Sequence, residues 1–332
     1  MRHIRLAFYS AAHFWVDLSC ALLLLGAVCP EADPVRCILL YNFSAFAVQM
    51  PIGLLAGRLN RNHQVAAAGC GLVAAAWFLT KGAEAAVLAG VGNALFHVGG
   101  GLDTMNRSGE KAGPLGVFVS PGAAGLFLGA AARGAAEALA LPVCGVLVAA
   151  AVLILLWCRG PENPPAALPE GRGKWLPALL CLLLVVVLRS WNGFLFRFPW
   201  KGALEAPLTC AVVLGKTAGG LAADRFGTSR TAAITLGLSA LCFLGSDWAP
   251  IGLLGVFLFQ MTMPLTLWAA GRLLPSAKGL AFGVLTFGLF LGALPTHLDW
   301  EPIRPGPEVY AATALLSLPL LCYGLCTAQK RR

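Results

Sequence analysis

Gly220-Leu-Ala-Ala-Asp-Arg-Phe-Gly227 repeats, 167 residues downstream, the pattern of Gly53-Leu-Leu-Ala-Gly-Arg-Leu-Asn60. Each stretch closes an apolar run with small residues and then enters a short basic loop. The offset is close to half of the 332-residue chain, as a duplication would leave it. Between the copies lies Arg159-Gly-Pro-Glu-Asn-Pro-Pro-Ala-Ala-Leu-Pro-Glu-Gly-Arg-Gly-Lys174. This is the one stretch whose Pro, Gly and charge content reads as a linker. The expected division is therefore an N-terminal half 1–158, a linker 159–174 and a C-terminal half 175–332.

On either side of the linker the chain is a succession of apolar runs. A helix needs about 20 apolar residues to cross the hydrocarbon core of a bilayer. Cutting at Pro, Gly and charge clusters predicts twelve spans, six in each half: 6–28, 35–57, 64–80, 84–106, 114–135, 138–158, 175–196, 203–222, 231–246, 250–271, 279–297 and 309–327. Only 12% of the residues are charged while 58% are hydrophobic, against about 25% charged in soluble domains. So few charges could not cover the surface of a soluble fold of this length. The expected class is all-α integral membrane: twelve transmembrane helices in two six-helix bundles.

The net charge of +9 does not point to nucleic acid, because the basic residues cap apolar runs. With the N-terminus placed inside, sixteen of the 24 Lys and Arg residues fall on the cytoplasmic side, six outside and two within spans. Positive residues concentrate on the cytoplasmic side of membrane proteins. Both termini are therefore expected in the cytoplasm, the protein in the cell membrane, and the span count even. Met1-Arg2-His3-Ile4-Arg5 looks like the start of a signal peptide, but His13 and Asp17 interrupt the run that follows, so it reads as a retained first span. The eleven cysteines are scattered through apolar runs with no zinc spacing, which suits small buried hydrophobes. Cys29 and Cys37 flank one external loop and could pair.

Leu214-Gly-Lys-Thr-Ala-Gly-Gly-Leu-Ala-Ala-Asp-Arg-Phe-Gly227 resembles the signature loop of the major facilitator superfamily. The second-half copy keeps Gly220, Asp224, Arg225 and Gly227. The first keeps Gly53 and Arg58 but has Gly57 for Asp and Asn60 for Gly. His13-Phe-Trp-Val-Asp17 and Gly90-Val-Gly-Asn-Ala-Leu-Phe-His97 are similar to spans one and four of the fosmidomycin-resistance-type drug exporters within that superfamily. Gly116-Val-Phe-Val-Ser-Pro121-Gly-Ala-Ala-Gly125 is similar to its antiporter motif, with Ser120 in place of Gly; small-residue packing accounts for most of that pattern. The resemblance implies a two-bundle fold working by alternating access and, more weakly, proton-driven export.

Ionisable and strongly polar residues inside spans are costly and usually face a cavity or a partner. His13 and Asp17 are four apart, on one helix face. At 1.5 Å per residue, Asp17, Asn93, His97, Arg189 and Gln260 all lie about 14–21 Å from the cytoplasmic ends of spans one, four, seven and ten. With His13, Trp191 and Asn192 they form the expected substrate and proton pathway. The resemblance makes those spans the lining of the central cavity. Each has a plainer role open to it. Asp17 can bond a neighbouring helix, and His13 and His97 can bridge helices. Arg189 can pair with Asp17, snorkel outward or hold an anion, and Trp191 can simply pack. Two His and one Asp could ligate zinc, but no further ligand spacing supports it, so no metal is expected. Arg58, Lys216, Asp224 and Arg225 are expected to latch helices in one state rather than to touch substrate.

The leading expectation is a proton-coupled secondary transporter exporting a small organic molecule. The alternatives are uptake of a small organic anion or nutrient, anchored by Arg189, and a membrane scaffold that no longer transports. Gly99-Gly-Gly101 and similar stretches lack the strand context of a phosphate loop, so neither an enzyme nor a cofactor is expected. The expected partners are a small-molecule substrate, protons and membrane lipid, and the chain is expected to be a monomer.

Overall fold

The computed structural model describes residues 2–160, 175–298, 300 and 305–330, with Arg2 and His3 as backbone only. Residues 161–174 of the linker, and with them Arg172 and Lys174, lie outside the described residues. So do Arg304, Arg331 and Arg332 of the charge count.

The described residues form twelve apolar helices, ten of them long and apolar enough to cross a membrane. They are α1 (Ile4–Val28), α2 (Pro34–Leu59), α3 (Asn62–Leu79), α4 (Gly82–Ser108), α5 (Gly113–Ala131) and α6 (Arg133–Trp157). Then follow α7 (Trp175–Leu195), α8 (Glu205–Phe226), α9 (Thr228–Leu244), α10 (Ala249–Leu273), α11 (Lys278–His297) and α12 (Pro307–Lys330). Every boundary falls within five residues of its sequence expectation, because the breakers that end the apolar runs also end the helices. Asp33 accepts hydrogen bonds from the Val35 and Arg36 amides at 3.0 and 3.3 Å and caps α2, with Pro34 at the first helical position, where its missing N–H is harmless.

The two ends of the sequence repeat share a positive φ. Asn60 ends α2 with φ 54°, and Gly227, its counterpart, separates α8 from α9 with φ 89°. A positive φ excludes most side chains, but Asn tolerates the left-handed region. Asn60 is left-handed helical with ψ 32°, whereas Gly227 has ψ 144°, so the two copies end in different turns.

Two helices are interrupted where polar side chains gather. α5 breaks at Ser120, between Gly113–Val119 and Pro121–Ala131. The cause is Pro121, which has no amide to donate; Ser120 itself keeps helical angles. α10 breaks at Met261, between Ala249–Gln260 and Thr262–Leu273. α2 carries a π-helical stretch over Phe43–Ala47.

The helices gather into two compact units. The first holds Met1–Arg107, Pro121–Ala167 and Ser276–Phe287, and the second Ser108–Ser120, Leu168–Pro275 and Gly288–Arg332. Residues 276–287 join the first unit by close backbone contact, Gly279 lying against Gly53 with no room for a Cβ on either. Residues 108–120 join the second through polar contacts described below. Inside both units the buried faces are rich in Ala, Gly and Ser, while large apolar side chains such as Leu79, Leu141, Leu241 and Leu316 stand exposed. This inversion of the soluble pattern suits helices whose backbones pack closely while lipid covers the outside.

Candidate functional site

In the first unit, α1 and α4 bring four of the expected residues together. Asp17 is 6% exposed, and His13 and Asn93 are also buried. The Asn93 Nδ2 amide donates to Asp17 Oδ1 at 2.8 Å. His13 Nε2 lies 3.2 Å from Asp17 Oδ2, and His97 Nε2 lies 3.8 Å from Asp17 Oδ1. The two imidazoles meet edge to face, with their Nε2 atoms 2.8 Å apart.

These contacts define where protons sit. His97 Nδ1 is 2.9 Å from the Asn93 carbonyl oxygen. A carbonyl only accepts, so this ring nitrogen carries the hydrogen. In a neutral His97 the Nε2 atom is then an acceptor, and the proton between the rings belongs to His13 Nε2. That same N–H also faces Asp17. One proton is thus shared by three basic atoms, with the carboxylate beside it to balance a second.

The three ligand-type atoms of His13, Asp17 and His97 lie within 4.8 Å of one another, close enough to raise the question of a metal. Two nitrogens on a tetrahedral zinc at about 2.05 Å would stand about 3.3 Å apart. The 2.8 Å Nε2–Nε2 separation is that of a hydrogen bond.

Gly122, on the second segment of α5, lies against this cluster. A Cβ there would collide with His13 Nε2 and Asp17 Oδ2. Residue 122 carries a constraint that sequence reading placed only in a small-residue motif. Sequence reading also passed over Cys20, whose Sγ lies 3.8 Å from Asn93 Nδ2, and the buried Asp103. Asp103 accepts from Arg107 Nε through both oxygens, at 2.9 and 3.0 Å. The signal for Asp103 was present, an acid and a base four apart near a helix end.

In the second unit, Arg189 of α7 is 4% exposed. Nη1 donates to Thr262 Oγ1 at 3.4 Å, and Arg189 forms no ion pair among the described residues. The Thr262 hydroxyl gives its own hydrogen to the Phe259 carbonyl at 2.8 Å, so an oxygen lone pair is left to face the guanidinium. Asn192, one turn along α7, is 0% exposed, and neither its Nδ2 nor its Oδ1 has a partner among the described residues. Gln260 is buried beside the break in α10. Trp191 is half-buried, and its backbone packs where a Cβ on Gly292 would stand.

The expected latch residues divide. Asp224, near the end of α8, accepts from the Ala112 and Gly113 amides at 2.6 and 3.1 Å. It thereby caps the start of α5, where free amides and the helix dipole favour a carboxylate. Lys216 donates to the Val119 carbonyl at 3.4 Å, and the Ser120 and Thr217 hydroxyls meet at 2.7 Å. Glu110 adds a 3.3 Å ion pair with Arg272 and accepts at its carbonyl from Trp268 Nε1 at 2.8 Å. Together these tie residues 108–120 into the second unit. Arg225 instead sits over the Phe226 ring at 5.6 Å. Arg58 is exposed at the end of α2, with no ion pair among the described residues.

No family profile matches the sequence, and no curated protein matches it. Solved structures do. A crystal structure of the Escherichia coli fucose:proton symporter FucP matches over 100% of this chain and 99% of its own, with TM-score 0.67 and 14% identity. A second FucP structure, in the outward conformation, gives 0.69 at 13% identity, with the same shares of the two chains. The human organic anion transporter MFSD10 (TETRAN) gives 0.70 at 14% identity, over 96% of this chain and 99% of its own. The fold is that of the major facilitator transporters: all-α, twelve transmembrane helices in two six-helix bundles. The chain is an integral membrane protein.

Proposed function

We propose that this chain is a secondary active transporter of the major facilitator superfamily, moving a small organic molecule across the cell membrane by alternating access with protons as the coupling ion. The observation that carries the reading is the hydrogen-bonded cluster of His13, Asp17, Asn93 and His97, buried inside apolar spans. Such a group is expensive in a membrane and is kept where it works. Taking up one further proton turns the cluster from net negative to neutral. That change alters which conformation of the protein is favoured. A scaffold would have no use for it.

The reading has support on both sides of the cluster. FucP, whose fold this chain shares, is a fucose:proton symporter. Arg58, Asp224, Arg225 and Lys216 are the residues we assign to gating, Asp224 by capping α5 in one state and releasing it in another. We read both termini as cytoplasmic from the Lys and Arg bias, the halves as 1–158 and 175–332 from the repeat, and the protein as a monomer.

Export is the direction we favour, on the resemblance of spans one and four to fosmidomycin-resistance-type exporters. Uptake is the second reading, favoured by the buried, unpaired Arg189. The purified chain is reconstituted in vesicles containing a pH-sensitive dye, and a panel of small organic compounds is added outside. Substrate-driven proton movement is expected in the wild type and absent in Asp17→Asn at unchanged reconstitution. The sign of the pH change separates the directions, alkalinisation inside meaning exchange and acidification symport. Proton movement that survives in Asp17→Asn would remove Asp17 as the coupling residue.

A further inference from the structure

We infer that Arg189, Asn192 and Thr262 form a binding site for a single carboxylate group, so that the transported molecule is a small organic monoanion. The inference rests on the transport reading above and names the substrate class it leaves open.

The first ground is charge. A buried guanidinium without a counter-ion is strongly unfavourable. The buried carboxylates among the described residues are Asp17 and Asp103. Each has partners in the first unit, Asp17 in His13 and His97 and Asp103 in Arg107. Arg189 has one hydrogen bond, to a hydroxyl, at the long distance of 3.4 Å. Four of its five N–H donors are without a partner among the described residues.

The second ground is independent of charge. Asn192 is on the same helix, three residues on, and therefore on neighbouring faces of one turn. Its amide nitrogen and oxygen are both buried and unmatched. Nearly all buried polar groups in folded proteins are matched. A fully buried amide with neither atom bonded, one turn from an unpaired arginine, marks a place where a ligand supplies the partners.

The third ground is where the acceptor comes from. Thr262 begins the second segment of α10 immediately after the break at Met261. Interrupted helices are a recurring feature of transporter binding sites. Here the break presents Thr262 Oγ1 to the guanidinium with its hydrogen already committed to Phe259.

The number of charges sets the class. One arginine matches one negative charge, and a planar guanidinium bonds a carboxylate through two parallel N–H donors. A phosphate dianion would leave a charge unanswered. The Asn192 amide is placed to bond the second carboxylate oxygen or a polar group beside it. In this conformation the three side chains are buried, so the anion enters through the opening that alternating access supplies.

The test uses the purified full chain in detergent, without a membrane or a proton gradient. Its thermal stability is followed with acetate, lactate, benzoate and phenylacetate, each against its neutral amide. The wild type should be stabilised, saturably, by at least one carboxylate and not by its amide. Arg189→Gln should raise the concentration needed by tenfold or more, and Asn192→Ala by several-fold. Without ligand, Arg189→Gln should melt at the wild-type temperature or above it, because it removes an unpaired buried charge.

Three results would overturn the inference. One is a wild type that none of the carboxylates stabilises beyond its amide. Another is an Arg189→Gln protein that keeps the carboxylate response. The third is a ligand-free Arg189→Gln protein that loses several degrees, which would make the arginine structural. Carboxylate binding that persists while substrate-driven proton movement is absent counts against the coupling reading alone.

Discussion

Asp17 has His13, Asn93 and His97 around it, whereas Arg189 has one hydroxyl at 3.4 Å. The two groups are equally buried and stand on helices one and seven, the first of each half. Around Asp17 the charged group has polar partners within reach, although Asn93 Oδ1 is left unmatched. Around Arg189 the guanidinium and both polar atoms of Asn192 lack them among the described residues. On our reading the first arrangement holds a proton and the second awaits a molecule, and each half would do one of the two tasks that coupling needs.

The strongest way to break this contrast is to destroy the complete half by shape rather than by charge. Gly122→Val places side-chain atoms where His13 Nε2 and Asp17 Oδ2 now stand. Proton movement in the vesicle assay should fall to background, while carboxylate binding in detergent should stay within a few-fold of wild type. Loss of both would mean that the two halves are one site. Next in size is Asp17→Asn, which keeps the shape and removes the charge, with loss of proton movement as the expected result.

Smaller effects separate gating from binding. Asp224→Ala leaves the Ala112 and Gly113 amides uncapped. It should cost about 0.5–2 kcal/mol of stability in the state that holds residues 108–120, the usual range for a lost N-cap. The expected readout is altered protease or thiol-label access to this segment, with unchanged carboxylate binding. Val in place of Asn60 should cost about 1–2 kcal/mol, because a β-branched residue is forced into the left-handed region, while Asn60→Gly should be neutral by thermal melting. Smallest of all is Glu110→Gln. Glu110 is largely exposed, and exposed ion pairs contribute at most about 1 kcal/mol and often nothing.

The twelve helices, their order and their ends were legible in the sequence, since hydrocarbon length and Pro or Gly breakers act on each helix locally. The family resemblance drew attention to His13, Asp17 and His97, and spacing explained why His13 and Asp17 share a face. Spacing could not show that His97 meets His13 rather than Asp17 alone, because that depends on how α1 and α4 cross. Nor could it single out Gly122, whose importance comes from a backbone approaching another helix.

Hydrophobic length and the scarcity of charge along the chain therefore determined, by themselves, that this protein spans a membrane. Those properties are summed over many residues and survive any packing. Which polar groups are satisfied and which are left waiting was decided only by tertiary structure. A hydrogen bond depends on a few tenths of an ångström between helices distant in sequence, and no local pattern encodes that distance.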